Sequence, residues 1–182
     1  TVCDEVYRTL MKMRWQPNLK IIPHYESEPL YIEAIKNSIV KKVSEINWQP
    51  DLIIASYHGI PKKYFDKGDP YHCYCHKTTR LISEKYSDIK IKTTFQSRFG
   101  PQEWLQPYTD KTLETLPKEG KKNILVICPG FSSDCVETLE EISIQGKESF
   151  LNSGGKNFEM VPCLNDNEDH IVLFKHLITK NI

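Results

Sequence analysis

A histidine follows a short apolar run, at the point where a buried strand is expected to end. Leu52–Ser56 is almost continuously apolar, and Tyr57-His58-Gly59 comes directly after it. A core strand does not need a titratable group at its end. Directly after the strand, Gly59 has no side chain and Pro61 restricts the backbone. A neutral imidazole can accept a proton or bind a metal ion at pH 7. His58 is therefore the first candidate for a functional group.

Two carboxylates stand four residues apart in a later segment. Glu137 and Glu141 belong to a predicted helix, Cys135–Asn152, and would lie one above the other on its surface. Close to a histidine, such a pair could pass protons or hold a cation. The alternative is a solvated acidic face near the start of a helix, which the helix dipole favours. The spacing alone leaves both interpretations open.

Aromatic and polar residues also occur in the predicted loops. One loop contains Ser97, Arg98 and Trp104, while Phe131 and Tyr57 stand near the ends of other predicted strands. Aromatic side chains in loops either pack locally or wall a flat apolar ligand. Arg98 could pair with a carboxylate of such a ligand. We expect these residues to form a substrate-binding group around His58.

A second cluster has metal-ligand residue types. Cys73 and Cys75 form a C-x-C pair flanked by His72 and His76, and Cys163 is the one downstream cysteine in a suitable position. The pair is tighter than the C-x-x-C usual for structural zinc. A structural zinc or iron–sulfur site is therefore the lesser interpretation, and free thiols in a reducing compartment are the expectation.

Predicted strands alternate with predicted helices along the whole chain. Near-continuous apolar strands joined through helices predict an α/β fold, with an open parallel sheet of about four strands and helices on both faces. In such Rossmann-like sheets, sites lie beyond the carboxyl ends of the strands. The first helix is predicted to reach about Arg14. The segments with strand character are Leu19–Tyr25 (weakened by Pro23), Leu52–Ser56, Ile89–Phe95, Asn123–Gly130 and Phe158–Leu164.

Composition excludes several function classes. The 182 residues carry 24 basic and 24 acidic side chains, so no global basic field exists to hold nucleic acid. Mean hydropathy is −0.48, and no apolar run approaches the roughly 20 residues that span a bilayer. Neither a phosphate-binding glycine motif nor G-x-S-x-G occurs. No signal peptide is evident, and the chain opens on Thr1 within a predicted helix, so we expect a cytoplasmic segment of a longer protein.

Four segments together resemble the ferrochelatase family in its bacterial form. They read SYHGIPKKYFDKGDPY, TFQSRFGPQEWLQPYTD, CPGFSSDCVETLEEI and PCLNDNEDHI, and the resemblance extends from about Leu19 to Ile178. It implies an enzyme of two Rossmann-like halves with a porphyrin cleft between them. Residues 1–182 would form one domain, the C-terminal half, with residues 1–16 as the connecting helix from the N-terminal half.

The resemblance implies insertion of Fe²⁺ into a porphyrin, protoporphyrin IX or coproporphyrin III, in heme biosynthesis. His58 matches the invariant histidine of the family and Glu137 its catalytic glutamate, and these two with Glu141 are the expected metal contacts. Trp104 matches the tryptophan beside the macrocycle, and Phe131 lies in a pocket loop. The division of proton and metal roles between His58 and Glu137 stays open.

The chain departs from the family pattern at two positions. Gln145 stands where relatives often continue a line of carboxylates, and Cys135 stands where animal members have histidine. Animal members also carry a [2Fe–2S] cluster on cysteines of a C-terminal extension. Without that extension, such a cluster is a lesser alternative and no resident cofactor is predicted.

The expected partners are a porphyrin, ferrous iron and the N-terminal half of the same enzyme, with no nucleic acid. Peripheral contact with the inner membrane is left open. We expect the fragment alone to be inactive, because half of the cleft would be missing. Two rivals remain: a non-catalytic porphyrin- or heme-binding module, which would not need Glu137, and a related cobalt chelatase, which should have more metal-binding histidines.

Overall fold

The computed structural model describes residues 2–182, and its helices and strands alternate. The elements are α1 (Val2–Leu10), α2 (Pro29–Glu45), β1 (Leu52–His58), α3 (Lys62–Asp66), α4 (Tyr71–Lys85), β2 (Ile91–Gln96), α5 (Thr109–Thr115), β3 (Asn123–Ile127), α6 (Val136–Leu139), a π-helix (Glu141–Gly146), α7 (Lys147–Asn152), β4 (Asn157–Met160) and α8 (Glu168–Asn181).

The four strands form one parallel sheet in the order β2-β1-β3-β4. In this order β2 lies next to β1 at one edge of the sheet, and β4 lies next to β3 at the opposite edge. The strand order therefore reverses between β1 and β3, and a crevice opens beyond the carboxyl ends of strands at such a point. The predicted α/β fold, with an open parallel sheet of about four strands, is confirmed.

Alternate residues of β1 enter two separate cores, one on each face of the sheet. Ile53 and Ala55 pack with α2, α4 and α8, whereas Leu52 and Ile54 pack with α5 and α7. A strand covered on both faces has no solvent side to carry polar residues, which explains the continuous apolar run in the sequence. The helices hold the sheet from both sides, and the carboxyl edge stays open.

Two expectations for the N-terminal region are wrong. Leu19–Tyr25 forms no strand: its apolar residues Leu19, Ile21 and Ile22 are exposed, and Pro23 lacks the N–H that a ladder needs. The first helix ends at Leu10 rather than near Arg14, and it buries none of its residues. Helices gain most of their stability from a packed face. In α1, Val2–Thr9 are exposed and Leu10 is half-buried, so the helix has no such face among the described residues. No helix of residues 2–182 combines the length and apolar character needed to cross a bilayer.

The segment Val136–Asn152 is helical throughout, as the sequence predicts, but its middle is a π-helix. Glu137 lies in the α-helical first turn and Glu141 begins the π-helix. A π segment carries an extra residue in a turn and is found mostly at functional sites. The wider turn changes which residues face the sheet edge, and Glu141 is one of them.

Candidate active site

The carboxyl edge of β1 brings His58 to the reversal point of the strand order. His58 is the last residue of β1, and Gln96, the last residue of β2, is its register partner. Phe131 follows β3, and its ring centroid lies 6.2 Å from that of His58. The Trp104 ring lies on another side at 6.5 Å. Three of the residues that the sequence predicts for the site therefore meet at one edge.

The hydrogen bond of the His58 ring fixes its tautomer. Nδ1 lies 2.6 Å from the carbonyl oxygen of Gly59. A carbonyl oxygen only accepts, so Nδ1 is the donor in this contact, and in the neutral imidazole the free lone pair is then on Nε2. The Tyr71 hydroxyl donates to the His58 carbonyl at 2.9 Å and holds the backbone. In its neutral form, His58 thus offers Nε2 as an acceptor from a half-buried position.

Gly59 is required by a close approach of neighbouring groups. Its backbone N–H donates to the Gln96 carbonyl at 2.8 Å. A Cβ atom added here would lie 3.0 Å from that same oxygen and 3.2 Å from Cε3 of Trp104. The chain then pairs Ile60 with Leu105 by a backbone hydrogen bond of 3.0 Å, which brings the Trp104 segment beside it. The turn after His58 therefore also positions the tryptophan.

Glu141 is held by both donors of Ser97. The backbone N–H of Ser97 donates to Oε1 at 2.7 Å, and its hydroxyl donates to Oε2 at 2.6 Å. Ser97 has a φ of 62°, in the left-handed region that non-glycine residues avoid. Such strain persists where surrounding structure imposes it. Ser97, predicted to bind substrate, has its hydrogen-bond donors occupied by the protein's own carboxylate.

Gln96 joins the buried interior to the two glutamates. Its Oε1 accepts from the Ser56 hydroxyl at 2.7 Å, and its Nε2 donates to the Glu137 carbonyl at 2.6 Å. A longer contact of 3.5 Å reaches Glu141. Gln96 is 3% exposed, so its amide is satisfied by these protein groups rather than by water. Gln96 is a positioning residue that the sequence reasoning missed.

Glu137 is partly exposed and ionised at neutral pH. A hydrogen bond with Cys135 and its own backbone N–H lower the pKa of its carboxyl, and the charge of His58 adds to that effect. The backbone of Glu137 is tied to Gln96, the register partner of His58, by a hydrogen bond of 2.6 Å. Cys135 caps the helix, where its side chain accepts from the Thr138 backbone. The cap places the glutamate in the first turn, facing the strand edge.

Tyr57 and Arg98 are placed differently from the other candidates. Tyr57 is buried, its hydroxyl contacts Thr79 at 3.0 Å, and burial raises its pKa. Its ring still forms part of the wall of an aromatic cleft of about 510 Å³, which Phe131 also lines. The Arg98 guanidinium pairs with Asp110 at 2.7 Å and lies over the Tyr108 ring at 4.3 Å. Its pairing with a ligand carboxylate stays a prediction that requires this ion pair to open.

The cysteines of the C-x-C pair do not share one site. Cys75 is buried, and burial raises its thiol pKa to about 12, whereas Cys73 is exposed. Within residues 2–182 no three or more His, Cys, Asp and Glu side chains are arranged to hold a metal ion. The two thiols therefore lie in different surroundings, one enclosed by the core and one at the surface.

Sequence reasoning also missed Tyr71 and a clamp at the start of the helix. The Asp134 carboxylate accepts from the Asn165 amide at 2.8 Å and from the Cys163 N–H at 3.2 Å, tying α6 to the loop after β4. The signal for Tyr71 was its place in the segment GDPY beside the histidine motif. Gln96 and Asp134 carried no signal of their own, because buried polar partners are decided by tertiary contacts.

Comparison of the sequence with known proteins identifies the family of this chain. The family model described as Ferrochelatase matches residues 1–182. The chain is 52% identical over 184 residues to a ferrochelatase of Rhizobium meliloti (strain 1021) and covers 54% of that protein. It is 48% identical over 186 residues to a ferrochelatase of Francisella tularensis subsp. novicida, of which it covers 56%. The chain thus spans about half the length of these curated relatives, and it belongs to the ferrochelatase family.

Proposed function

We propose that this chain is the C-terminal half of a two-domain ferrochelatase and carries the groups that insert Fe²⁺ into a porphyrin. The observation that supports this most directly is that the Glu137 carbonyl is hydrogen-bonded at 2.6 Å to Gln96, the register partner of His58 at the carboxyl edge of the sheet. The rings of Trp104 and Phe131 lie 6.5 and 6.2 Å from that of His58, whose Nε2 is an acceptor in the neutral form, and the lowered pKa of Glu137 keeps its carboxyl ionised. We assign this activity to the complete enzyme, in heme biosynthesis.

The reaction needs a base and a site for positive charge. Metal insertion removes two protons from pyrrole nitrogens and adds one divalent cation, so the porphyrin keeps its net charge. Nε2 of His58 can accept a proton or contact the ferrous ion, since imidazole suits iron. The Glu137 carboxylate supplies a negative charge for the incoming cation and an acceptor for a proton. Both groups fit either task.

Glu141 provides a second carboxylate beyond the first. Its two oxygens are held by Ser97 at 2.7 and 2.6 Å, so its position is fixed before any substrate arrives. Such fixed acceptors need no reorganisation during reaction. The next position along the helix is Gln145, which cannot take a proton at neutral pH, so a proton relay through carboxylates ends at Glu141.

Aromatic walls suit the flat apolar face of a porphyrin. Trp104 donates its indole N–H to the Phe99 carbonyl at 2.9 Å, which fixes the ring plane. Phe131 presents its half-buried ring from the loop after β3. Stacking on such rings supplies binding energy with little loss of side-chain entropy.

Zinc insertion into a water-soluble porphyrin, followed by fluorescence, tests the proposal. We expect the full-length polypeptide to turn over and the His58→Asn variant to lose about 100-fold or more in rate, the usual contribution of a positioned proton acceptor. The chain of 182 residues alone should not turn over. A full rate for the His58→Asn variant would contradict the catalytic role, and a full rate for this chain alone would contradict the need for a second half.

The same assay separates the rivals. A non-catalytic porphyrin-binding module would bind the porphyrin with the affinity of an enzyme and give no metallated product. A cobalt chelatase would prefer Co²⁺ to Fe²⁺ in steady-state competition. We expect product to form with Fe²⁺ preferred over Co²⁺.

A further inference from the structure

Helix α4 carries two histidines one turn apart on its surface. His72 and His76 are four residues apart, and their ring centroids are 4.4 Å apart with an angle of 49° between the planes. This spacing puts both side chains on one face of the helix. Neither residue lines the aromatic cleft or contacts Glu137, so the pair is separate from the candidate active site.

The ring nitrogens of this pair have no protein partner within residues 2–182. No hydrogen bond or ion pair engages either imidazole, and neither belongs to the buried polar groups that lack a partner, so both reach solvent. The neighbours of His72 are aromatic: Phe65 lies 4.9 Å and Phe95 5.7 Å away between centroids, the latter stacked. The aromatic contacts hold the ring while its nitrogens stay available.

Ion pairs reduce the positive charge that the basic residues of α4 place near His72 and His76. Two of the three basic residues on the same helix are paired with carboxylates, since Lys77 contacts Glu26 at 3.0 Å and Arg80 pairs with Glu84. An imidazole binds a metal ion in its neutral form.

We propose that His72 and His76 form a bidentate site for a borderline divalent transition-metal ion, of the class Zn²⁺, Ni²⁺ or Fe²⁺. Imidazole suits this class, and two histidines at this helical spacing are a known way to present two nitrogens to one ion. No third side chain completes the set within residues 2–182. Water fills the other positions, so the ion exchanges freely, in contrast to the closed shell of a structural zinc site.

The proposed metal site is adjacent in sequence to a residue that contacts the carboxyl end of β1. His72 directly follows Tyr71, whose hydroxyl donates to the His58 carbonyl at 2.9 Å. The site thus lies on the helix whose first turn supports His58, on the face that packs against the Phe95 ring. The inference does not rest on the proposed metallation activity, because it needs only the two imidazoles.

Calorimetric titration with Ni²⁺ tests the site in a His58→Ala/Glu137→Gln/Glu141→Gln background, in which the three expected metal contacts of the candidate active site are removed. We expect about one Ni²⁺ per chain. His72→Phe, which keeps the aromatic packing, and His76→Asn should each weaken binding at least about tenfold, since loss of an outer-shell partner alone costs about 10–100-fold. His24→Asn, which removes an exposed imidazole packed on Tyr74, is the matched control and should leave the affinity unchanged.

Urea unfolding without metal checks that each variant folds, and only folded variants are compared. Added Ni²⁺ should raise the unfolding midpoint of the background protein and leave that of the His72→Phe/His76→Asn protein unchanged, because a ligand of the native state alone stabilises it. Binding that persists in the His72→Phe/His76→Asn protein overturns the proposal. So does the absence of binding to the background protein at 1 mM Ni²⁺, because a site with a Kd of roughly 0.1 mM would be about nine-tenths occupied at that concentration.

Discussion

Replacing Gln96 with leucine should both destabilise the chain and disturb the glutamates. The substitution keeps the approximate volume but removes the donor to the Glu137 carbonyl at 2.6 Å and the acceptor of the Ser56 hydroxyl at 2.7 Å. Ser56 keeps a second partner, the Thr109 hydroxyl at 2.8 Å, so its loss is partial. The Glu137 carbonyl loses the donor that Gln96 supplies.

The magnitude follows from these contacts. A buried acceptor left without its donor costs about 1–3 kcal/mol, and the weakened Ser56 bond adds about 0.5–1.5 kcal/mol. We therefore expect the unfolding free energy to fall by about 1.5–4.5 kcal/mol. For a domain of this length each 1 kcal/mol lowers the melting temperature by roughly 2–4 °C.

Urea unfolding followed by circular dichroism measures this loss. The matched control is Gln102→Leu, the same change at an exposed position, which should stay within about 0.5 kcal/mol of the parent. In the full-length polypeptide, Gln96→Leu should also slow zinc insertion while porphyrin affinity changes little. A Gln96→Leu chain as stable as the Gln102→Leu chain would refute the reasoning, because the buried network would then carry no stability.

Three other substitutions test single contacts. Gly59→Ala should cost about 1–3 kcal/mol of unfolding free energy through overpacking against Trp104, whereas Gly130→Ala, whose Cβ would meet its nearest atom at 3.4 Å, should be tolerated; equal denaturation midpoints would contradict this. Ser97→Gly should be more stable in urea than Ser97→Ala by about 1–2 kcal/mol, because glycine relieves the φ of 62°; equal midpoints would show no strain. Burial alone would raise the pKa of Asp134, but hydrogen bonds, led by the one from the Asn165 amide, outweigh it and lower the pKa. The stability that this provides is present above the unfolded pKa of about 4 and is lost as pH falls through the folded pKa. Asp134→Asn should therefore cost about 1–2 kcal/mol at pH 7 and less in acid, as urea midpoints across pH would measure; a pH-independent difference would contradict the pKa argument.

The sequence predicts the sheet well because burial acts on every residue of a central strand. Leu52–Ser56 is apolar throughout since both faces of β1 are covered, and that pattern can be read without coordinates. Leu19–Tyr25 shows why the same reasoning fails elsewhere. Its composition suits a strand, but a strand forms only beside a partner, and composition does not reveal the absence of one.

The candidate site is predictable only in part, for a related reason. His58 and Trp104 stand out because their residue types are unusual at their positions. The role of Ser97 depends on a single left-handed residue and a carboxylate 44 positions away, which no local pattern encodes. The π-helix that begins at Glu141 is equally hidden, because an extra residue in one turn leaves the spacing of apolar residues almost unchanged.

The central claim is that the Glu137 carboxylate acts on metal insertion beside His58. The most direct test is the rate of zinc insertion by the full-length Glu137→Gln protein at saturating porphyrin, with Glu140→Gln, an exposed neighbour on the same helix, as the control. The account predicts a fall of about 100-fold or more for Glu137→Gln, with porphyrin affinity retained, and a parental rate for Glu140→Gln. A Glu137→Gln protein that inserts zinc at the rate of its Glu140→Gln counterpart would contradict it.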